Sequence, residues 1–372
     1  MNISEIRKQL PVTERYRYFN HAAIGPLPRR AASAMAGAVE GAMRHGVHRH
    51  QAWTAQHEGL RRAAAAMLGC SAGEIAITKN TSEGLSAVAT GLDWRRGDVI
   101  VGLDSDFPAN YVPWRRLRER RGVRFRSLKL RGGALDLGDL DRACKGARLA
   151  ALSYVHFLTG FRWDLEAAGE VCRRRGCALV VDAVQGMGAF PIDVKRSGVH
   201  ALSASAHKWL LGPEGCGVLY IDRDWMPSLE PAEFGWASLQ GFERYRCDGP
   251  LQPTARRFEC GTLNSAGCAG MRASMEWLNE LEAERVAARI HGLAERLLEG
   301  ALAAGYEAAA ARDRRSGSGI VSLRKPGTDS AQVVAALARR RVSAAERMGW
   351  VRVAPHFYNT AAEIDRLLAL LP

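Results

Sequence analysis

Two side chains of complementary chemistry follow apolar runs in the middle of the chain. Asp182 ends the run 178–181 with no turn residue before it, and Lys208 follows a second run, 199–202, after a few small residues. A strand buried on both faces has this pattern when its last side chain emerges at the carboxyl edge of a sheet. Open α/β sheets bind ligands at that edge, so we expect Asp182 and Lys208 to face one crevice if both strands belong to a single parallel sheet.

An acid and a lysine across a crevice suit pyridoxal phosphate. The lysine amine can form a Schiff base with the aldehyde, and the carboxylate can hold the pyridine nitrogen protonated so that the ring accepts electrons. Each residue alone has a more ordinary explanation, because strand-end aspartates often cap helices and most lysines are solvated. The prediction therefore depends on their combination with three nearby polar residues, Gln185, Ser205 and His207. Gln185 could reach the phenolate oxygen of the ring, and the other two a phosphate.

Further polar and aromatic residues follow other predicted strands. Thr81 and Ser82 begin a predicted helix directly after a strand, where free N–H groups and hydroxyls favour a phosphate, although an ordinary helix cap has the same pattern. Phe107 follows the next strand and could lie on the pyridine ring or simply cover the sheet end. Arg352, at the end of a short strand, is a natural ligand for an α-carboxylate, with a surface ion pair as the alternative.

The elements that would position these residues alternate between strand and helix from residue 74 to residue 221. This alternation predicts an α/β fold with a mostly parallel sheet and helices on both faces, with 217–221 as an antiparallel strand. Helical patterns cover 29–68 and 263–304. A chain of 372 residues exceeds one typical core. We therefore predict a large cofactor-binding domain at 21–262 and a smaller α+β domain formed by 1–20 and 263–372.

Composition narrows the functional class. The eight cysteines lack C-x-x-C spacing, so we expect reduced thiols and no metal site. The net charge of +13 comes from arginines spread over helical stretches without a nucleic-acid-binding module, so no nucleic acid partner is expected. The charged N-terminus lacks the apolar core of a signal peptide, and no stretch approaches a membrane span. These features predict a cytoplasmic enzyme with no membrane contact.

Together and in this order, the motifs resemble the class V aminotransferase family of fold-type-I pyridoxal-phosphate enzymes. That family includes cysteine desulfurases, isopenicillin N epimerase-like proteins, C–S lyases and kynureninases. The resemblance runs from Tyr18-Phe-Asn-His-Ala-Ala23 to the segment 352–364. It is carried by Thr78-Lys-Asn-Thr-Ser-Glu-Gly84, Asp182-Ala-Val-Gln185, Ser205-Ala-His-Lys208 and Arg257-Phe-Glu-Cys-Gly-Thr262.

The resemblance implies a role for each site residue. Lys208 would be the Schiff-base lysine, and Asp182 would pair with the pyridine nitrogen. Gln185 would meet the phenolate oxygen, and Phe107 would stack on the ring. The phosphate would be held by Thr81, Ser82, Ser205 and His207. Thr262 would reach the phosphate of a neighbouring subunit, which implies a homodimer with shared sites. Arg352 would take the carboxylate of the amino-acid substrate. We also expect His21 and His156 to contact the substrate, although the segment around His156 differs from the one common in desulfurases.

Departures from the family pattern reduce the number of activities that the sequence favours. No cysteine follows Cys268, which argues against a persulfide-forming desulfurase of the usual kind, and His207 rather than tyrosine precedes the lysine, which argues against a kynureninase. We therefore expect C–S bond cleavage by β-elimination on a cysteine-derived substrate, through an α-carbanion. An isopenicillin N epimerase-like epimerase is the first alternative, disfavoured because no second acid–base residue is clearly placed, and a class V aminotransferase is the next. A non-catalytic binding protein is disfavoured by the intact Asp182 and Lys208.

Overall fold

The computed structural model describes residues 1–241, 245, 248–310 and 315–372, so Cys247 lies outside the described residues. The α-helices are α1 (Ile3–Lys8), α2 (Val12–Arg15), α3 (Arg29–His45), α4 (His50–Leu68), α5 (Thr81–Gly91), α6 (Val112–Arg121), α7 (Leu137–Cys144), α8 (Leu165–Arg174), α9 (Ser265–Glu280), α10 (Ala283–Ala303), α11 (Ser330–Arg339) and α12 (Ala361–Leu368). The strands are β1 (Arg17–Tyr18), β2 (Ile75–Thr78), β3 (Val99–Leu103), β4 (Arg124–Leu128), β5 (Leu149–Ser153), β6 (Ala178–Asp182), β7 (Ala201–Ser205), β8 (Gly217–Ile221), β9 (Glu307–Ala308), β10 (Val321–Arg324), β11 (Val342–Ser343), β12 (Ala345–Arg347) and β13 (Trp350–Val353).

A seven-stranded sheet forms the centre of the molecule, in the order β2-β8-β7-β6-β5-β3-β4. The pairings between β7, β6, β5, β3 and β4 are parallel, while β8 runs antiparallel to both of its neighbours. Strands β3 and β5 are buried along their whole length, as expected of apolar strands covered on both faces. The predicted α/β class, the mostly parallel sheet and the antiparallel strand at 217–221 are all confirmed.

The register of this sheet places the polar residues that end several strands side by side along one edge. Asp182 lies opposite Ser153 of β5 on one side and Ser203 of β7 on the other. Thr78 of β2 and Ser205 of β7 both pair with Gly217 of the intervening β8. The carboxyl ends of β2, β5, β6 and β7 therefore form one continuous edge, and the segments that follow them can contribute to a single crevice.

Two long helical patterns of the sequence are interrupted in the structure. The stretch 29–68 forms two helices because Gly46, with a φ of 49°, ends α3. The stretch 263–304 is broken between α9 and α10, where Glu282 has a φ of 63°. Both predictions of a continuous helix were wrong, since the apolar periodicity continues on either side of a short reversal. The break allows α3 and α4 to pack together against α9.

A second, antiparallel sheet of order β12-β13-β10-β9 is formed by the C-terminal part of the chain. Its core contains Leu297 of α10, Leu337 of α11 and Leu367 of α12. The N-terminal strand β1 pairs in parallel with β11, with Arg17 opposite Val342. Strands β9, β11 and β12, which the sequence did not predict, are two or three residues long and contain no apolar run. The division into 21–262 and 1–20 plus 263–372 stays a prediction.

Strands β12 and β13 are joined by a tight hairpin. Arg347 lies opposite Trp350, so only Met348 and Gly349 form the turn, and both have positive φ angles. This is the geometry of a two-residue type I′ turn. Arg347 and Arg352 consequently lie on the same face of the hairpin. None of the helices in the described ranges combines the length and the apolar character needed to cross a membrane.

Candidate active site

The predicted pair Asp182 and Lys208 lies in one buried crevice at the carboxyl edge of the sheet. Asp182 is the last residue of β6 and Lys208 follows β7, and the two side chains are close enough to perturb each other's ionisation. Burial is the main cause that lowers the pKa of Lys208, and the positive charges of Arg352 and Arg347 lower it further, whereas Asp182 raises it. Burial also raises the pKa of Asp182, which a hydrogen bond from the Val184 amide and the charge of Lys208 partly offset.

The amine of Lys208 faces an aromatic side chain. Its Nζ lies 5.4 Å from the ring centroid of Phe107. Phe107 is 43% exposed, and its ring centroid lies 5.5 Å from that of Phe157, in an edge-to-face arrangement. The structure therefore places the amine of a largely buried lysine next to a flat side chain that is open to a ligand.

A buried hydrogen-bond network holds the turn that carries Phe107. The Asp106 carboxylate accepts hydrogen bonds from the Phe107 amide, at 2.8 Å, and from the Ser153 hydroxyl, at 2.7 Å. It also accepts one from the Asn110 amide, whose oxygen accepts from the indole N–H of Trp114. Asp106 lies close enough to Asp182 to raise the pKa of that carboxyl. Sequence reasoning missed this network, although Asp106 also follows the end of a strand.

Thr81 and Ser205, both predicted to hold a phosphate, are in direct contact. The Thr81 amide donates to the Ser205 hydroxyl at 2.7 Å, and the two hydroxyl oxygens are 2.8 Å apart. Thr81 is the first residue of α5, so the positive end of the helix dipole points toward this pair. Helix α5 can approach β7 this closely because Gly84 lacks a side chain; a Cβ there would lie 2.3 Å from Ser203 Oγ. Ser82, the next residue of the helix, is exposed.

Gln185 and His207 flank the crevice. Gln185 donates to the Ala22 carbonyl at 2.9 Å and accepts from the indole N–H of Trp209 at 2.8 Å, so it is held in place on both sides. His207 is half-buried, and burial lowers its pKa. Its carbonyl accepts a hydrogen bond from Gly25, where a Cβ would lie 2.2 Å from the Lys208 carbonyl oxygen. The N-terminal segment is therefore packed directly against the lysine backbone.

Arg352 is a buried cation whose charge acts on Lys208. It is 3% exposed, and its Nη1 donates to the Phe157 carbonyl at 2.9 Å. Its Nε is buried without a hydrogen-bond partner in the described residues. Burial is the main cause that lowers the pKa of Arg352 to about 10, and the charge of Arg347 contributes. An unpaired N–H on a buried guanidinium favours an anionic ligand at this position.

The two histidines predicted to contact substrate have both ring nitrogens engaged inside the protein. His21 is fully buried, with Nδ1 at 2.7 Å from the Ala354 carbonyl and Nε2 at 2.7 Å from the Tyr358 hydroxyl. His156 Nε2 donates to the Ser105 carbonyl at 3.0 Å, and its Nδ1 accepts from the Thr159 amide at 3.1 Å. These arrangements favour structural roles for both histidines. Their contact with substrate stays a prediction.

The cavity that Thr262 lines does not have Lys208 among its lining residues. Thr262 is exposed and lines this cavity of about 220 Å³ with Thr78 and Lys79, which precede the phosphate-binding residues predicted at 81 and 82. Its segment is anchored by Glu259, whose carboxylate pairs with Arg61 and accepts the Ile77 amide at 2.8 Å. Glu259 was also missed by the sequence analysis, because its partners are distant in the chain. The role of Thr262 in a neighbouring subunit stays a prediction.

In this molecule, cavity volume does not identify the candidate catalytic residues. A cavity of about 970 Å³ is lined by Tyr154, Arg162, Met187 and other residues, but neither Lys208 nor Asp182 lines it. The chemistry is indicated instead by buried polar groups with few partners, since buried groups with perturbed pKa values concentrate at functional sites.

The sequence model of the Aminotransferase class-V family matches residues 17–367, which includes every residue of the crevice. The chain belongs to the class-V aminotransferase family. It is 30% identical to a probable cysteine desulfurase of Pyrococcus abyssi over 99% of this chain and 96% of the relative. The apo structure of a cysteine desulfurase from Thermococcus onnurineus NA1 superposes with a TM-score of 0.91 at 30% identity, covering 99% of this chain and 96% of that one.

A second solved structure is that of the cystine C–S lyase C-DES in complex with its reaction product, cysteine persulfide. It gives a TM-score of 0.89 at 26% identity and covers 97% of this chain and 98% of that chain. The resemblance predicted from the sequence motifs is thereby confirmed over nearly the whole length of the protein, together with the fold of the pyridoxal-phosphate enzymes in that family.

Proposed function

We propose that the protein is a pyridoxal-phosphate-dependent enzyme that cleaves a C–S bond of a cysteine-derived amino acid by β-elimination. The observation that carries the proposal is the buried pair of Asp182 and Lys208 at the carboxyl edge of the sheet, beside the buried guanidinium of Arg352. The similarity to cysteine desulfurases and to a cystine C–S lyase supports the choice of substrate class.

The donor set of the crevice fits this cofactor. The carboxylate of Asp182 accepts only one hydrogen bond within the described chain, from a backbone amide, which leaves it able to pair with a protonated pyridine nitrogen. The amine of Lys208 would bind the aldehyde, and Phe107 would cover the ring. Thr81, Ser82, Ser205 and His207 would hold the phosphate, and Gln185 would meet the phenolate oxygen. Once bound, the cofactor supplies an electron sink for the electron pair released at the substrate α-carbon.

The protein side chains supply the proton transfers and the orientation. The low pKa of Lys208 leaves a larger fraction of its amine neutral near pH 7 than for an ordinary lysine, so Nζ can accept a proton from the substrate α-carbon. The guanidinium of Arg352, whose Nε is unpaired, would hold the substrate carboxylate. Phe107 and Phe157 pack edge to face beside the amine of Lys208.

The cysteines favour a lyase that releases its sulfur product over an enzyme that carries it on a thiol. No cysteine follows Cys268 in the sequence, and the β12–β13 hairpin near Arg352 consists of a two-residue turn without a thiol. Cys260 is partly exposed, but its Sγ contacts the Glu233 carboxylate at 3.7 Å. We propose that the sulfur leaves with the product.

We propose a cytoplasmic homodimer in which Thr262 contacts the cofactor phosphate of the partner, built on the domain division at 21–262 and 1–20 plus 263–372. The exposed apolar side chains Val39 and Met43 support an interface, because they lie one turn apart on α3. No nucleic acid partner is proposed.

Product analysis tests the function. The purified enzyme, loaded with cofactor, is incubated with L-cystine and with S-alkyl-L-cysteines in deuterated buffer. We expect one pyruvate and one ammonia for each C–S bond cleaved. Absence of pyruvate together with deuterium exchange and inversion at the α-carbon would instead establish an epimerase. A keto acid formed only when an amino acceptor is present would establish an aminotransferase.

A further inference from the structure

Three cysteines that are separate in the sequence meet in the interior of the fold. Cys144 ends α7, Cys172 lies in the last turn of α8, and Cys177 immediately precedes β6. All three are buried, their sulfur atoms lie within 4.8 Å of one another, and each is a free thiol. We call this group the thiol cluster.

The thiol cluster is remote from the proposed active site. Cys177 precedes the amino end of β6, whereas Asp182 forms its carboxyl end, and the strand has five residues. At about 3.3 Å per residue, the strand places about 16 Å between the cluster and the crevice. The reaction proposed above uses none of the three thiols, so the cluster requires an explanation of its own.

The spacing of the sulfur atoms matches a coordination sphere. With metal–thiolate bonds of about 2.3 Å, three sulfurs arranged in a plane around one ion lie about 4.0 Å apart. The observed limit of 4.8 Å therefore requires the sulfurs to move by less than about 1 Å. Buried cysteines often serve only as small apolar side chains, but packing alone does not require three of them to converge from three elements.

We propose that Cys144, Cys172 and Cys177 form a three-thiolate site for a soft, thiophilic metal ion of the Cu(I) type. Thiolates select soft ions. A structural zinc ion takes four protein ligands, and within the described residues no further histidine, cysteine or carboxylate joins this group. An ion that accepts three-fold coordination therefore fits better. As each metal–sulfur bond forms, the thiol loses its proton to solvent, and no atom is oxidised or reduced.

The surroundings of the cluster suit a bound cation. Cys144 and Cys172 belong to the last turns of α7 and α8, and helix C-termini carry partial negative charge. The guanidinium of Arg126, which donates to the carbonyls of Ala143 and Lys145, lies beside Cys144 and offsets the charge of the thiolates. Residues 145–146 and 173–176, which adjoin the three cysteines in the sequence, are exposed, so the path from solvent to the cluster is short.

Anaerobic titration of the cofactor-loaded enzyme with Cu(I), in the presence of a competing colourless chelator, tests the proposal. We expect one tightly bound equivalent per chain, with new near-ultraviolet thiolate-to-metal absorption. The Cys172→Ser variant should not bind this equivalent of Cu(I). Two matched controls should retain it: Cys70→Ser, a half-buried cysteine, and Cys216→Ser, whose sulfur is close to that of Cys268.

A second measurement uses the unmodified protein and does not depend on how a variant folds. Pulsed alkylation is carried out in mild denaturant, under conditions in which all three thiols are labelled in the metal-free protein. Mass spectrometry should then show that Cu(I) selectively protects Cys144, Cys172 and Cys177. The proposal is overturned if the fully reduced wild-type protein binds no tight equivalent. It is overturned equally if the protection falls on other cysteines, or if a folded Cys172→Ser protein still binds the ion as tightly as wild type.

Discussion

Replacing Glu259 with alanine removes the carboxylate that neutralises a buried arginine. The side chains of Arg61 and Glu259 are 3% and 5% exposed. Both oxygens of Glu259 accept hydrogen bonds from the guanidinium, and one of them also accepts the Ile77 amide. Removing one partner of a buried ion pair lowers the free energy of unfolding by about 3–5 kcal/mol. Leaving a buried backbone N–H without an acceptor lowers it by about 1–3 kcal/mol.

The magnitude of the effect depends on what remains around Arg61. Glu58 stays bonded to its Nη1 at 2.7 Å, so it continues to neutralise part of the charge. We therefore expect Glu259→Ala to lower the free energy of unfolding by about 4 kcal/mol, a change of about a thousandfold in the folding equilibrium. Glu58→Ala is the matched control. The side chain of Glu58 is 35% exposed, so we expect a loss of at most about 1 kcal/mol.

Urea denaturation followed by tryptophan fluorescence measures both variants, at the same saturating cofactor concentration. The shift in midpoint, multiplied by the wild-type slope, gives the change in free energy of unfolding. The reasoning is refuted if Glu259→Ala stays within about 1 kcal/mol of wild type, or if the two variants are equally destabilised. Because Glu259 anchors the segment that carries Thr262, Glu259→Ala should also retain the cofactor less tightly on dialysis.

The other predictions concern the crevice. Lys208→Ala should lose pyruvate formation, whereas the exposed Lys79→Ala should keep it. Because the pKa of Lys208 is lowered to about 8, its amine becomes neutral and nucleophilic above that pH. The rate of cofactor uptake by apoenzyme should therefore rise with pH and level off about one unit above 8; a continued rise toward 10.5 would contradict the burial argument. Arg352→Lys should lower kcat/KM by about 10- to 100-fold through loss of a two-pronged carboxylate contact, while the exposed Arg324→Lys should leave it unchanged. Cys260→Ser should keep its rate of pyruvate formation, and mass spectrometry of the wild type after turnover should find no sulfur added to Cys260; a persulfide there would indicate a desulfurase.

The fold and the centre of the crevice could be predicted from the sequence because their signals are local. A strand buried on both faces must be apolar along its length, so the polar residue that ends it, such as Asp182, is visible in the sequence. The same logic predicted that Thr81 and Ser205 follow strands at one edge, and the structure places their hydroxyls in contact.

The remaining features depend on partners far away in the chain. His21 resembles a site residue until Ala354 and Tyr358 are seen to occupy both of its nitrogens. The breaks at Gly46 and Glu282 were missed because apolar periodicity resumes on either side of each. The convergence of Cys144, Cys172 and Cys177 is set by how α7 and α8 pack, and no spacing between them in the sequence indicates it.

The contact between the first and last parts of the chain has a consequence for biosynthesis. Residues 17–25 leave the ribosome early, yet Arg17 pairs with Val342 and Asn20 bridges to Ala354, which are synthesised near the end. The same early segment rests on the backbone of Lys208 through Gly25. Long-range pairings of this kind form slowly because the intervening chain must first be ordered. The lysine therefore cannot reach its final environment until translation is nearly complete, and cofactor capture should be a post-translational event.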